Sequence, residues 1–212
     1  MRHLAVLVVV LGSLVPCQAQ NLLPNPDFDQ DVSGWRGGVL TWDPTHSAVG
    51  PGGSGLITTN FGVGGALGAS VCVPVKPGVA YSFGGRYLFP FLLGDQAVRL
   101  TVAFTSDAGC LNVLSQSSIS EVSSGKPVGQ WLTLAGPDVV APATATAAVF
   151  SLELESTFDP VAHAVNFDNL YFIQGEDIPA LSLPGLFALA LGLGAAAVWM
   201  LRRRLPAAER LR

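Results

Sequence analysis

The chain has few basic residues, cysteines and histidines. Of its 212 residues, 11 are Lys or Arg, 3 are Cys and 3 are His. Between residues 20 and 177, five basic residues stand against fourteen carboxylates, a net charge of −9, because the other arginines lie near the two ends. Such an acidic surface repels phosphate backbones, which argues against a nucleic-acid partner. The sequence also has no nucleophile elbow, paired-histidine motif or phosphate-cradling loop. The composition therefore predicts a protein that is not an enzyme.

Long apolar runs are confined to the two ends of the chain. Residues 183–201 contain no charge and are followed directly by Arg202, Arg203 and Arg204. At about 1.5 Å per residue, such a helix is just long enough for a bilayer core of about 30 Å. Arginines next to a membrane span favour the cytoplasmic side of the membrane. The alternative, a buried core helix, would carry polar residues on one face of the helix, and this run has none. The pattern predicts one transmembrane helix over 183–201 and an Arg-rich tail over 202–212.

A short motif precedes this run at residues 178–182, formed by Ile178, Pro179, Leu181 and Ser182. Motif, span and arginine patch together resemble the IPTL-type C-terminal sorting signals of Gram-negative bacteria, relatives of the PEP-type signals that exosortases read. The resemblance implies that residues 178–212 are recognised by a membrane sorting enzyme and cleaved near the motif. The protein would then reach the cell surface or the extracellular space. Without cleavage, the same segment is a single-pass membrane anchor.

Residues 1–19 have the layout of a secretory signal peptide. A basic start is followed by an apolar stretch over 4–15 and by small residues that end at Ala19. Lipid attachment at Cys17 is the weaker alternative, because a proline precedes that cysteine. We expect signal peptidase to cleave after Ala19 during export across the inner membrane. The remaining residues 20–177 are long enough for one domain with a core of its own.

Two cysteines remain in this domain, Cys72 and Cys110. An even pair in an exported domain favours a disulfide. The alternative is a metal site, which would need further ligands at suitable spacing. The only histidine candidates, His46 and His163, are isolated in the sequence. A disulfide between Cys72 and Cys110 is the better prediction.

Alternating apolar and polar residues indicate strands in this domain. Residues 98–104 and 150–155 have a period of two, and no helical period occurs outside the two ends. The serine-rich residues 115–124 are predicted to form a surface loop. About eight strands separated by Gly, Pro and Asp turns are typical of an antiparallel β-sandwich. The candidate strands cover residues 39–42, 56–60, 70–74, 81–89, 98–104, 131–135, 150–154 and 165–173.

The two ends of the domain carry a second set of motifs. Residues 21–29 read Asn-Leu-Leu-Pro-Asn-Pro-Asp-Phe-Asp, residues 33–35 read Ser-Gly-Trp, and residues 165–170 read Val-Asn-Phe-Asp-Asn-Leu. Together with landmarks at 75–81 and 130–131, they resemble the family 4/9 carbohydrate-binding modules and their galactose-binding-like relatives. The resemblance covers nearly all of residues 20–177. It implies a jelly-roll sandwich that binds carbohydrate without catalysis.

The same resemblance implies a structural calcium ion. In that family, an acidic residue of the opening motif and an aspartate of the last strand help to hold it. The matching positions are Asp29 and Asp168, whereas Asn169 replaces the family's second aspartate. Calcium prefers hard oxygen ligands, and loop carbonyls can supply the rest. The alternative is that Asp29 caps a turn and Asp168 is a solvated strand residue.

Two sets of side chains are candidates for ligand contacts. Trp42, Tyr87 and Phe89 could form an aromatic platform for sugar rings, although aromatic strand residues more often belong to the core. Glu153 and Glu155 lie on one face of a strand at about 7 Å, a spacing that an inverting glycosidase could use. A solvated outer face explains the two glutamates without chemistry. The sequence thus predicts a module that binds polysaccharide of the cell surface or matrix. The alternatives are a structural matrix or envelope protein and, as the weakest, a glycoside hydrolase.

Overall fold

The computed structural model describes residues 20–59, 65–92, 94–156 and 161–175. These residues form ten β-strands, all within a compact unit that ends at Gly175. In chain order the strands are β1 (Leu40–Asp43), β2 (Ser54–Thr59), β3 (Gly65–Pro74), β4 (Ala80–Leu88), β5 (Gln96–Thr105), β6 (Val113–Val122), β7 (Leu132–Ala135), β8 (Val139–Val140), β9 (Ala147–Ser156) and β10 (His163–Gln174).

The strands form two antiparallel sheets. Sheet A has six strands in the order β1-β2-β10-β4-β7, with β8 pairing β4, and sheet B has four in the order β3-β9-β5-β6. All pairings are antiparallel. The prediction of an all-β antiparallel sandwich is therefore confirmed.

The core lies between the two sheets and is rich in aromatic rings. Tyr81 of β4 stacks on Phe172 of β10 with ring centroids 4.9 Å apart. Phe172 also contacts Phe150 of β9 at 6.3 Å, which joins sheet A to sheet B. These rings are buried because strand residues alternate between two faces, and the apolar residues occupy the inner one.

One predicted loop is a strand. Residues 115–124 fall mostly in β6, which pairs with β5 along its whole length, so the loop prediction is wrong there. The reason is that β5 supplies main-chain hydrogen bonds, which require no apolar face on β6. Most of the side chains of β6 are exposed, so this strand lacks the alternating pattern that marks the others.

The two ends of the chain lie outside the described residues. These ends contain the predicted signal peptide, the sorting motif from Ile178 to Ser182, the span over 183–201 and the arginines 202–204. Among the residues that the structure describes, none belongs to a helix of the length and hydrophobicity that a membrane crossing requires.

Candidate functional site

The side of sheet B directed away from sheet A, here called the B face, carries small and polar side chains in a regular grid. The antiparallel registers bring one outward residue from each strand into a row across the sheet. The four rows, each in the order β3, β9, β5, β6, are Ala66–Glu155–Ala97–Val122, Gly68–Glu153–Arg99–Ser120, Ser70–Ser151–Thr101–Ser118 and Cys72–Val149–Ala103–Gln116.

One of these rows consists of hydroxyl side chains alone. Ser70, Ser151, Thr101 and Ser118 lie side by side on β3, β9, β5 and β6. With strands about 4.8 Å apart, the row is roughly 14 Å long. Three of the four residues are half-buried and Ser118 is exposed. A hydroxyl both donates and accepts hydrogen bonds, so this row can bind a chain of hydroxyl groups.

The neighbouring row carries a charge cluster. Arg99 Nη1 lies 3.6 Å from Glu153 Oε2, and Arg99 Nη2 pairs with Glu155 Oε1. Burial raises the pKa of Glu153, and the charge of Glu155 raises it further, against the lowering effect of Arg99. The predicted outer-face position of both glutamates is right, but neither is simply solvated, because Arg99 bridges them. The cluster offers donors and acceptors side by side.

Two depressions occur on the B face and have Ala66 in common. The larger, of about 570 Å³, is also lined by Ala97, Val122 and Glu155. The smaller, of about 380 Å³, is lined by Arg36, Gly68, Ser70, Ser151 and Glu153, among others. Both volumes fall in the range of small-molecule sites.

Gly68 lines the smaller depression and leaves it open because it has no side chain. A Cβ atom at this position would lie 2.5 Å from the carbonyl oxygen of Leu152 and 2.9 Å from Cγ of Glu153. Neither neighbour leaves room for a side chain, and the leucine oxygen is fixed in the sheet. Glycine therefore allows β3 and β9 to approach each other below the charge cluster.

The predicted disulfide is confirmed and lies at one end of the B face. Cys72 of β3 is bonded to Cys110 in the β5–β6 loop, with a Cα–Cα distance of 6.1 Å. The loop is also held by Asp107, whose carboxylate accepts hydrogen bonds from the N–H groups of Leu111 and Asn112. Bonds from Asn112 and Leu111 lower the pKa of Asp107. The covalent link thus ties the β5–β6 hairpin to the opposite edge of the sheet.

The predicted aromatic platform does not form. Tyr87 and Phe89 are completely buried and meet edge to face at 5.3 Å, so neither ring is open to a ligand. The hydroxyl of Tyr87 donates to Glu121 on the inner side of β6. Trp42 is 40% exposed, but it stands on β1 of the other sheet, and its Nε1 donates to the carbonyl of Phe28 at 2.8 Å. Tyr87 and Phe89 are buried because their rings point into the core between the two sheets.

The predicted acidic pair has one buried and one exposed member. Asp168 is buried on β10, where its Oδ2 accepts from the N–H of Ala48 at 2.5 Å and its Oδ1 from the N–H of Asn169 at 2.7 Å. The alternative that Asp168 is a solvated strand residue is wrong. Burial raises its pKa, and the charges of Asp27 and Asp29 add to this, although the two backbone hydrogen bonds lower it. Asp29 itself is exposed.

These carboxylates concentrate negative charge at one place. Asp27 also has a raised pKa, from burial and from the charge of Asp29. Carboxylate oxygens suit a hard cation such as calcium, so the donor chemistry of Asp29 and Asp168 fits the implied ion. Among the residues described by the structure, no three or more His, Cys, Asp or Glu side chains form a metal-binding group. Main-chain oxygens would therefore have to complete the ligand set.

Asn169, which replaces the family's second aspartate, lies at a β-bulge. The register between β10 and β4 shifts between Asp168 and Tyr171, and Asn169 has a φ of 47°. Asparagine tolerates this left-handed conformation better than most residues. At the bulge, the N–H of Asn169 donates to Oδ1 of Asp168. The role of Asn169 here is to adopt the backbone conformation of the bulge.

The hydroxyl row and the Arg99 bridge were not predicted from the sequence. Each strand shows its own alternation, but a row requires the register between strands that are far apart in sequence. The available signal was one Ser or Thr at an outward position of β3, β5 and β9 and several serines in β6. That signal identifies outward residues without saying which of them are neighbours.

No protein-family model and no curated protein matches the chain. Solved structures do share its architecture. A structure described as Family 16 Carbohydrate Binding Module-2 aligns over 72% of this chain and 99% of its own, at 16% identity and a TM-score of 0.50. The CBM22-1 xylan-binding domain from Paenibacillus barcinonensis aligns over 74% of this chain and 95% of its own, at 18% identity and a TM-score of 0.50.

A third similar structure contains a catalytic module as well. It is the CBM22-1–GH10 part of Clostridium thermocellum endo-1,4-β-D-xylanase 10B complexed with xylohexaose, at 16% identity and a TM-score of 0.52. This chain aligns with 29% of that protein and 74% of itself. Identities this low show the fold alone. The chain thus has a β-sandwich like that of carbohydrate-binding modules, as the motifs at its two ends predicted.

Proposed function

We propose that this protein is a non-catalytic module that binds polysaccharide across the B face. The observation that carries the proposal is the hydroxyl row Ser70–Ser151–Thr101–Ser118 beside the Arg99 cluster. Together they place donors and acceptors along a line that crosses four strands. A sugar chain presents hydroxyls at comparable intervals. The two depressions make the B face concave where the chain would bind. The solved structures support the proposal through their shared fold.

The geometry favours hydrogen bonding over ring stacking. All the side chains in the four rows are aliphatic, hydroxyl, amide, thiol-derived or charged, so these rows present no aromatic ring. Stacking on an aromatic face is the contact that the sequence suggested, and the structure buries two of the three rings predicted for it. We therefore expect the ligand to be a hydrophilic polysaccharide with many free hydroxyls.

The absence of catalysis is part of the proposal. Hydrolysis by inversion needs one carboxylic acid and one carboxylate with room for a water between them. Here Arg99 lies between Glu153 and Glu155 and pairs with both. An arginine that pairs with both carboxylates holds them in an ion cluster, which supports a non-catalytic role.

We also propose that the module is exported and displayed at the cell surface. The disulfide between Cys72 and Cys110 supports an oxidising compartment outside the cytosol. Signal peptidase would remove residues 1–19, and an exosortase-like enzyme would act at the motif of residues 178–182. A structural role in the matrix or envelope, without a soluble ligand, is the competing function. Intact-mass measurement of protein released from the surface tests both cleavages.

A glycan array with the full chain tests the binding function. The chain is kept in a detergent without a sugar headgroup, because a glycosidic detergent would compete for the site. Ala66→Leu places bulk in both depressions at an exposed position, so we expect it to weaken binding at least about tenfold. Ala80→Leu, at an exposed position on sheet A, is the matched control and should bind like the wild type.

The array also separates the competing functions. Saturable binding that Ala66→Leu removes and Ala80→Leu keeps supports recognition through the B face. No binding to any glycan by folded wild-type protein would overturn the proposal and favour the structural role. Turnover of a bound glycan that is lost in Glu153→Gln would show instead that the protein is a hydrolase.

A further inference from the structure

The hydroxyl row of the B face is continued by one residue beyond the edge strand β3. Arg36, in the segment before β1, forms an isolated antiparallel bridge with Ser70. Its N–H and carbonyl group exchange hydrogen bonds of 2.8 and 2.7 Å with Ser70. Directly opposite residues of an antiparallel pair point to the same side of a sheet, so the side chain of Arg36 lies on the B face. Arg36 thus adds a guanidinium group to the end of the hydroxyl row.

The backbone at Arg36 is held on both sides. The ring of Trp35 packs against Phe150 in the core, with ring centroids 6.0 Å apart. Gly37 has a φ of 132°, and a Cβ atom there would lie 2.5 Å from the carbonyl oxygen of Gly68. Glycine has no side chain to prevent this conformation or this approach. The point from which Arg36 extends over the B face is therefore set by the core on one side and by β3 on the other.

Arg36 and Arg99, two arginines of the B face, differ in their partners. Arg99 pairs with both Glu153 and Glu155. Arg36 is exposed, and no ion pair involves it among the residues that the structure describes. A guanidinium group carries five N–H donors and no acceptor, so the positive charge of Arg36 is open to an anionic group of a ligand.

The smaller depression places this charge next to hydroxyl groups. Arg36 lines it together with Ser70, Ser151 and Glu153. A guanidinium group binds a carboxylate through two parallel N–H···O bonds, whereas a serine hydroxyl suits the hydroxyl groups of a sugar. A sugar acid carries both kinds of group on one ring. The charge of Glu153 opposes such a ligand, but Arg99 compensates it.

We propose that Arg36 binds the acidic group of a sugar acid within the polysaccharide, while Ser70 and Ser151 bind hydroxyl groups of the same sugar. This inference rests on the proposed function and names the class of its ligand. The net charge of −9 between residues 20 and 177 opposes a densely charged chain. Charges more than about 8 Å away are largely screened at physiological salt, so Arg36 can still attract a single acidic group. The expected ligand is a polysaccharide in which acidic sugars are separated by neutral ones.

A glycan array built from matched pairs tests the proposal. One set carries oligosaccharides in which glucuronic or galacturonic acid alternates with neutral sugars, each beside its carboxyl-reduced form. Reduction replaces the carboxylate by a primary alcohol and keeps the other hydroxyl groups. A second set pairs neutral oligosaccharides with their sulfate esters, because a sulfate offers a guanidinium group the same kind of oxygen acceptor.

The full chain is applied in a detergent without a sugar headgroup. It should bind the acidic member of a pair at least about threefold more tightly than the neutral member. The preference should decrease as salt is added, because the contact is exposed. Comparison of the two sets shows whether a carboxylate or a sulfate is the better acidic group.

Arg36→Gln should lose the preference and bind the neutral members within about twofold of the wild type, which also shows that the variant is folded. Lys76→Gln, at an exposed lysine beyond the end of β3, changes the net charge by the same amount and should keep the preference.

Three results would overturn this inference and leave the proposed function in place. They are equal binding of both members of every pair, a preference that survives in Arg36→Gln, and a preference that Lys76→Gln removes as well. Failure of the folded wild type to bind any glycan would instead overturn the proposed function, and this inference with it.

Discussion

Several outward polar side chains of sheet A are covered, whereas those of the B face are open. On sheet A, Asn166 donates to the carboxylate of Asp43 at 2.8 Å and to the hydroxyl of Ser54 at 2.9 Å, and Asp168 accepts from the N–H of Ala48. The segment between β1 and β2 therefore lies over that face. On sheet B, the four rows of the B face remain at least partly accessible, except at Ala103.

The difference indicates different roles for the outward polar groups of the two sheets. Burial opposes ionisation of Asp43, but hydrogen bonds from Thr45, His46 and Asn166 outweigh it and lower its pKa to about 2. These hydrogen bonds hold Asp43, Asn166 and Asp168 in place and stabilise the fold, although Asn166 Oδ1 is buried without a partner in the described structure. Those of the hydroxyl row face solvent, where a ligand with hydroxyl groups can replace water. Similar residue types serve stability on one sheet and the proposed binding on the other.

The largest effect on stability should come from removing the disulfide that joins β3 to the β5–β6 loop of sheet B. Replacing Cys72 and Cys110 by serine removes a covalent closure over a sequence separation of 38 residues. In the chain-entropy model this lowers the free energy of unfolding by about 4 kcal/mol. Denaturant titration of the full chain in detergent measures it. The same midpoint in the oxidised wild type and the double variant would contradict the expected role of the disulfide.

A smaller effect is expected if, as we propose, calcium binds at Asp29 and Asp168 on the covered face of sheet A. Folding raises the pKa of Asp168 above its ordinary value of 3.8. Without a cation, the free energy of unfolding should therefore fall as the pH rises from 3.8 through the raised pKa. Bound calcium compensates the charge and should stabilise by about 2.7 kcal/mol at one hundred times its Kd. Thermal unfolding at neutral pH, with and without calcium, measures the gain.

The Asp168→Asn variant should lose both the calcium response and this contribution to the pH dependence. Asp138→Asn, at an exposed position, serves as its control and should keep both. Magnesium should stabilise much less, because it requires a stricter octahedral arrangement. Equal responses of the wild type and Asp168→Asn to calcium would remove this residue from the proposed site.

The smallest expected effect concerns one hydroxyl of the open face. Thr101→Val removes a hydroxyl from the middle of the row and keeps a β-branched side chain in β5, so the fold should be unaffected. Loss of one hydrogen bond of about 0.5–1.5 kcal/mol should weaken glycan binding a few-fold. Titration with a glycan identified on the array measures the affinity.

Trp42→Ala is the matched comparison for that variant, since it changes an exposed side chain on the other sheet. It should leave the affinity within about twofold of the wild type. If Trp42→Ala abolishes binding and Thr101→Val does not, the ligand contacts the rim of sheet A, and the comparison between the sheets is reversed.

Much of the fold could be predicted from local patterns. Alternation over residues 98–104 and 150–155 identified β5 and β9, because one face of each is buried in the core. The same reasoning missed β6, whose two faces are both largely polar. The disulfide could be predicted from the cysteine count, because an exported domain with one pair has one possible bridge.

Less of the candidate site could be predicted from local sequence patterns. Tyr87 and Phe89 are aromatic residues at a strand, but their exposure depends on whether they point into the core between the two sheets or away from it. Arg99 and Glu153 are 54 positions apart, and only the pairing of β5 with β9 makes them neighbours. Local patterns show that a residue points away from the core without showing what covers it.

The sequence by itself determined the class of the domain, its cysteine pair and the acidic character of its surface, because strand alternation, residue counts and charge are properties of the chain. Tertiary structure decided which outward residues are covered and which are open, since that depends on register and on segments that cross a face. The hydroxyl row and the Arg99 bridge both arise in this way. Each joins residues that the chain order keeps apart.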